Sequence, residues 1–275
     1  MRIRASVAAV TGALALSAFV APAAHADPMP YTLNVGFSNL KIASSMKVGT
    51  TNEVSTTYTY TLTYGSDVNI KASDFYTDAY LYRGDLDDPS ATVEGDDYAT
   101  CTPSTTTAGT ATCTGTVDVY PADGDLVNAD AGKWSVAAEA TALNGQDENN
   151  PDWSKVGFAE KGGLATTSLL RYSKLTVNAS PEPVKKGATI TVTGALTRAN
   201  WEDHKYHGYT NQSVQLQFKK SGTTTYTTVK TVTSDSSGNL KTTVTAASDG
   251  TWRYSFAGTS TTPSVSATGD YVDVQ

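Results

Sequence analysis

The side chains of this chain that could do chemistry are few: a pair of histidines in one segment, two cysteines, and a series of acidic loops. His204 and His207 lie in Trp201-Glu-Asp-His-Lys-Tyr-His-Gly-Tyr209. Nucleophilic catalysis of the Ser–His–Asp kind needs a nucleophile within reach of a base whose far nitrogen is held by a carboxylate. No Gly-x-Ser-x-Gly elbow is present to supply that nucleophile, and both histidines fall in a stretch that reads as a loop. The same segment offers Glu202, Asp203, His204 and His207 as nitrogen and oxygen ligands for a transition metal, and Trp201, Tyr206 and Tyr209 as stacking faces for a sugar. The plainer reading, adopted here, is a loop whose aromatics close the end of a core.

Cys101 and Cys113 are the only cysteines. In an oxidising compartment a lone pair at this spacing reads as one disulfide closing the Thr-rich segment between Thr102 and Thr112 and pinning a hairpin end. Chain entropy assigns such a loop about 3 kcal/mol. With no paired histidine nearby, the two thiols do not make a structural zinc site. A rigid loop presented to a protease as a substrate mimic is the functional alternative.

Carboxylates are the better functional candidates. Asp85, Asp87 and Asp88 follow Gly84; Glu94, Asp96 and Asp97 come next; Asp123 and Asp125 flank Gly124; and Asp147-Glu148-Asn149-Asn150-Pro151-Asp152 completes the series. Calcium takes roughly six to eight hard oxygens, which loop Asp, Asn and carbonyl groups supply without helices. The EF-hand spacing fails, because counting from Asp85 puts Ser90, and counting from Asp123 puts Asn128, where glycine is required. The candidate calcium ligands are therefore Asp85, Asp87, Asp88, Asp96, Asp97, Asp147, Glu148 and Asp152, assembled from loops. Solvated acid that keeps the protein soluble is the competing reading. Two carboxylates about 5 to 9.5 Å apart would also suit glycoside hydrolysis.

These residues are positioned by a chain that reads as exported. Arg2 and Arg4 precede an apolar stretch from Ala5 to Val20, and Ala24-His25-Ala26 has the small-x-small form of a signal cleavage site, so residues 1–26 are expected to be removed. The apolar stretch is shorter than the roughly 20 residues of a spanning helix, and no later run is expected to hold a membrane. The 275-residue chain has a net charge of −7, unevenly spread. Residues 27–172 carry 20 Asp and Glu against 8 Lys and Arg, a net of −12, whereas residues 173–275 carry 7 against 10, a net of +3. That shift predicts two domains, 27–172 and 173–275. An acidic first domain argues against nucleic acid, whose phosphates need Lys and Arg.

Both domains read as all-β. Tyr58, Tyr60, Leu62 and Tyr64 alternate with Thr57, Thr59, Thr61 and Thr63, the period of a half-buried antiparallel strand. Val214, Leu216 and Phe218 repeat it, as do Trp252, Tyr254 and Phe256. Strands are expected at 31–37, 54–64, 76–82, 115–119, 133–141 and 164–171. Seven more follow at 174–178, 188–196, 213–219, 225–233, 239–246, 250–256 and 268–274, the count of an immunoglobulin-like sandwich. Its expected core is Val192, Leu216, Phe218, Val229, Val244, Trp252 and Tyr254. The fold class is thus two tandem antiparallel β-sandwich, immunoglobulin-like domains after a cleaved signal peptide.

Arg171-Tyr-Ser-Lys-Leu-Thr-Val-Asn-Ala-Ser-Pro-Glu-Pro-Val-Lys-Lys-Gly187, Thr193-Gly-Ala-Leu-Thr-Arg-Ala-Asn-Trp201, Val214-Gln-Leu-Gln-Phe218, Asp249-Gly-Thr-Trp-Arg253 and Gly269-Asp-Tyr-Val-Asp-Val274 resemble a C-terminal module that recurs in exported actinobacterial proteins. The resemblance covers nearly all of residues 171–275. It implies an immunoglobulin-like domain and an extracellular address in a family largely without an assigned activity, a few members carrying a calcium-binding label. The combined expectation is a secreted, non-catalytic binding or structural protein with an extracellular partner and calcium as its candidate ion. An extracellular hydrolase using carboxylates of residues 27–172 and a protease inhibitor presenting the disulfide loop are the alternatives.

Overall fold

The computed structural model describes residues 29–275, so the export signal lies outside the described residues. In chain order the strands are β1 (Tyr31–Thr32), β2 (Val35–Ile42), β3 (Met46–Val48), β4 (Val54–Tyr64), β5 (Phe75–Gly84), β6 (Pro89–Val93), β7 (Thr100–Pro103), β8 (Thr110–Val119), β9 (Gly132–Ala142) and β10 (Gly157–Arg171). They continue as β11 (Ser173–Leu175), β12 (Asn178–Ser180), β13 (Thr189–Asn200), β14 (Lys205–Gly208), β15 (Ser213–Lys220), β16 (Thr227–Thr233), β17 (Asn239–Thr245), β18 (Gly250–Phe256), β19 (Val265–Ser266) and β20 (Asp270–Val272). Single 3-10 turns occur at Pro121–Asp123, Asn128–Asp130 and Trp153–Lys155. The described chain forms two compact units. Unit 1 comprises residues 29–44, 55–118 and 134–167; unit 2 comprises 45–54, 119–133 and 168–275.

In unit 1 one sheet runs β2-β4-β8-β7 and the other β10-β9-β5-β6, with β1 alongside β10 in parallel. In strand letters these are A-B-E-D and G-F-C-C′, the immunoglobulin arrangement. The alternation in β4 does what its period demands: Tyr58, Tyr60 and Leu62 are buried between the sheets while the intervening threonines face outward. Burying two tyrosines requires partners for their hydroxyls. Tyr60 Oη lies 2.7 Å from Thr77 Oγ1, and Tyr58 Oη accepts the Ala79 N–H at 3.0 Å. Both bonds reach β5 and lock the sheets together. Cys101 and Cys113 form the expected disulfide, directly opposite one another in the β7–β8 hairpin.

Unit 2 has β11 and β12 on β13, then β17, in one sheet, and β16-β15-β18 with β19 and β20 in the other. This is A-B-E against C′-C-F-G, an immunoglobulin-like sandwich. Inward residues of β15 and β18 lie opposite each other, with Val214 across from Phe256, Leu216 from Tyr254 and Phe218 from Trp252. They meet Ile190, Val192 and Leu196 from β13. Val229, expected in this core, is instead 49 % exposed. Leu216 pairs with Lys230 and Gln217 with Thr228, so Val229 is the extra residue of a bulge, and the bulge turns its side chain outward. The stretch 174–178 is two short strands, and 201–208 is a hairpin returning through β14, where a loop was expected.

Candidate binding groove

The outer face of the β10-β9-β5-β6 sheet in unit 1 carries a groove of about 1120 Å³. Period 2 along β5 sends Thr77, Ala79 and Leu81 into the sandwich and Tyr76, Asp78 and Tyr80 to the other face. In register on β9, Asp78 lies opposite Glu139 and Tyr76 opposite Thr141. Glu160 of β10 accepts a hydrogen bond from Tyr80 Oη. The floor is therefore acidic and aromatic at once. The pairing of β5 with β9 sets the Asp78 and Glu139 carboxyl groups face to face across the strands. Tyr60, under the floor, feels them: its phenol is held well above the usual tyrosine range, first by burial. The Thr77 hydrogen bond acts the other way, and Tyr58, Asp78 and Glu139 add to the rise.

Three loops build the walls. The turn after β5 is anchored by Leu86, which packs on Tyr80, Tyr82 and Ala137 and so sets Asp87 and Asp88 at the groove. Beyond β6, Asp118 N–H donates to the Glu94 carbonyl at 2.9 Å, and the Asp118 carboxylate accepts Asp96 N–H at 2.9 Å. Gly95 permits that approach, since a Cβ there would stand 2.0 Å from the Thr116 carbonyl oxygen. This segment places Glu94 and Tyr98 on the groove, and Tyr98 rests against Tyr76 with ring centroids 4.8 Å apart. The third wall is the β9–β10 loop. Asp152 Oδ1 accepts Ser154 N–H at 3.2 Å and Ser154 Oγ–H at 2.6 Å, and Oδ2 meets Lys155 Nζ at 2.8 Å. Those bonds, Lys155 first, hold the Asp152 carboxyl below the usual range. They also cap the 3-10 turn that presents Trp153 to the groove.

Of the eight candidate calcium ligands, Asp87, Asp88 and Glu148 line the groove, while Asp85, Asp96, Asp97, Asp147 and Asp152 do not. Asp85 and Asp147 accept backbone N–H groups two residues on, in local turns. Among the described residues no three His, Cys, Asp or Glu side chains come together as a metal-holding group. Asp78, Glu139 and Glu160 were not singled out in the sequence. They sit inside strands, where an acidic residue with half its neighbours apolar reads as the solvent face of an ordinary strand. The signal available was the pairing of an Asp and a Glu on apolar strands rich in Tyr and Ala.

In unit 2 the histidine segment is a β-hairpin rather than the expected loop, with Trp201 and Tyr209 packed inward and Tyr206 beneath Lys174. Trp201 is 1 % exposed and its Nε1–H donates to the Val48 carbonyl at 3.3 Å, and Tyr209 packs edge-on against Phe256. His207 Nε2 lies 2.6 Å from Asp203 Oδ2 on the exposed hairpin. Burial acts to raise the Asp203 pKa, and the His207 bond and Lys205 N–H outweigh it, so the carboxyl sits low.

No protein-family model and no curated protein matches the chain. Among solved structures it is similar to FdeC, an Escherichia coli adhesin, at 15 % identity over 86 % of this chain and 63 % of that one, with a TM-score of 0.30. It is also similar to the D0–D1 domains of intimin (16 %, 86 % and 98 %, TM-score 0.26) and to the Yersinia pseudotuberculosis adhesin InvE (14 %, 87 % and 60 %, TM-score 0.26). The chain thus spans 63 % of the FdeC chain, and these likenesses carry nothing about function to it. Among the described residues no helix is long and apolar enough to cross a membrane.

Proposed function

We propose that this is an exported, non-catalytic binding protein that takes its extracellular partner in the groove of unit 1. The observation that carries the reading is the groove itself, a concavity of about 1120 Å³ with the rings of Tyr98 and Trp153 at its walls. Concave, aromatic-lined sites with a few placed polar groups are where ligands bind. The signal read in residues 1–26 and the resemblance of residues 171–275 to exported modules support the extracellular setting.

Trp153 makes the test direct. Trp134, Trp201 and Trp252 are buried, whereas Trp153 is half-buried at the groove. Titrating the purified protein with soluble extracellular oligosaccharides and peptides should find a ligand that shifts tryptophan emission and is recovered unaltered. Trp153→Ala should abolish the shift while leaving the melting temperature in place. Ligands that bind equally well to the Trp153→Ala and Tyr98→Ala variants would place binding elsewhere.

One observation favours a second reading, a glycoside hydrolase. Asp78 and Glu139 face one another in register, which brings two carboxyl groups to one face of the sheet, the residue types that glycoside hydrolysis uses. Binding is preferred because Asp78 is only 2 % exposed, so a substrate oxygen has almost no carboxylate surface to meet. Turnover of any oligosaccharide that Asp78→Asn removes would decide for the enzyme.

A further inference from the structure

We propose that the groove binds an extended peptide segment bearing lysine or arginine side chains; this deepens the groove reading above and rests on it. Among the described residues, seven of the side chains that line the groove are Asp or Glu and none is Lys, Arg or His; Asp78 is buried in the floor, and the other six are at least partly exposed. They come from β5, the turn after it, the end of β6, β9, the β9–β10 loop and β10, so the negative charge is spread along the groove. Ligands for one ion converge on a point, whereas cations spaced along a chain are met by carboxylates spaced along a surface.

Rings share the groove with those acids. Tyr76, Trp153 and Phe158 line the same groove, and aromatic faces attract ammonium and guanidinium groups most strongly where water is partly excluded. The stem methylenes of Lys and Arg pack on such rings while the charged head stays wet. Unit 2 shows the same pairing within the chain, with Lys174 Nζ 3.6 Å from the Tyr206 ring centre and Arg253 Cζ 3.7 Å from that of Tyr226.

The edge of the sheet favours a peptide over a small amine. β6 ends the sheet, and residues 89–92 of it line the groove. An extended chain laid there can add main-chain hydrogen bonds to the edge while its alternate side chains enter the groove. The volume also exceeds the upper end of about 1000 Å³ typical of small-ligand pockets.

The test is a fluorescence titration of the purified protein with an alternating lysine–glycine peptide of about eight residues, roughly 26 Å when extended. Spermine, a glutamate–glycine peptide, a neutral xylo-oligosaccharide and calcium chloride run in parallel. The lysine peptide should move Trp153 emission, lose affinity about tenfold between low and high salt, and weaken by about tenfold in the triple variant Asp87→Asn, Asp88→Asn, Glu148→Gln. These three residues are surface loop positions, so unchanged melting of the triple variant separates lost binding from lost folding. Spermine binding as tightly as the peptide, or displacement of the peptide by calcium at matched ionic strength, would overturn the proposal. A neutral sugar that alone moves Trp153, without salt dependence, would end the cation proposal and leave the groove reading standing. Lysine-peptide binding indifferent to both Trp153→Ala and the triple variant would end both.

Discussion

Tyr254 shows how single residues hold these sandwiches. It lies at the centre of unit 2, opposite Leu216, and its Oη–H donates to the Val192 carbonyl of the facing sheet at 2.9 Å. Burial pushes its phenol up to about 12. Tyr254→Phe should lower unfolding free energy by about 1 kcal/mol in urea titration, the usual net worth of one such bond. The pH dependence has a definite sign. An acid whose folded pKa lies above its unfolded value of about 10 favours folding while it is neutral. Its contribution is therefore complete below about pH 10 and is lost as pH rises through about 12. Wild type should lose stability over that range more steeply than Tyr254→Phe.

Among the elements, the Glu94–Asp97 segment depends on one glycine. Gly95→Ala drives a Cβ to 2.0 Å from the Thr116 oxygen, and overpacking of this kind costs about 1–3 kcal/mol. The variant should melt lower and also bind groove ligands more weakly, because Glu94 and Tyr98 ride on that segment. The β7–β8 hairpin gives a second prediction: reducing the Cys101–Cys113 bond should lower stability in urea by about 3 kcal/mol at most. The strands legible in the sequence were those with sustained alternation, such as β4, β15 and β18, because burial on one face imposes period 2 on the residue types. β6 was missed because it begins with Pro89 after two aspartates, a signature of loops that edge strands also tolerate. Val229 was misplaced for a related reason. A bulge shifts the parity of an edge strand without leaving any mark in its own sequence.

For the molecule as a whole, charge is the long-range term. A net of −7, with the excess acid confined to residues 27–172, means self-repulsion that salt relieves. The melting temperature should rise between about 0.01 and 0.5 M sodium chloride, over which the screening length falls from about 30 Å to a few ångströms. The charge split and acidic loops were visible in the sequence, and three loop residues, Asp87, Asp88 and Glu148, do reach the groove. The floor was not visible, because Asp78 and Glu139 become neighbours only when β5 and β9 pair in one register. Residues 61 positions apart carry no local sign of that meeting.

The strand β7 is four residues long and is the outermost member of its sheet. Behind it lies the ten-residue β8, rich in threonine and valine. An unprotected strand of that kind is a template on which other chains can extend a sheet. The covalent tie through Cys113 keeps the short strand seated and the longer one covered. Concentrated protein held in reductant should therefore seed fibrillar, thioflavin-binding aggregates that the oxidised form does not make.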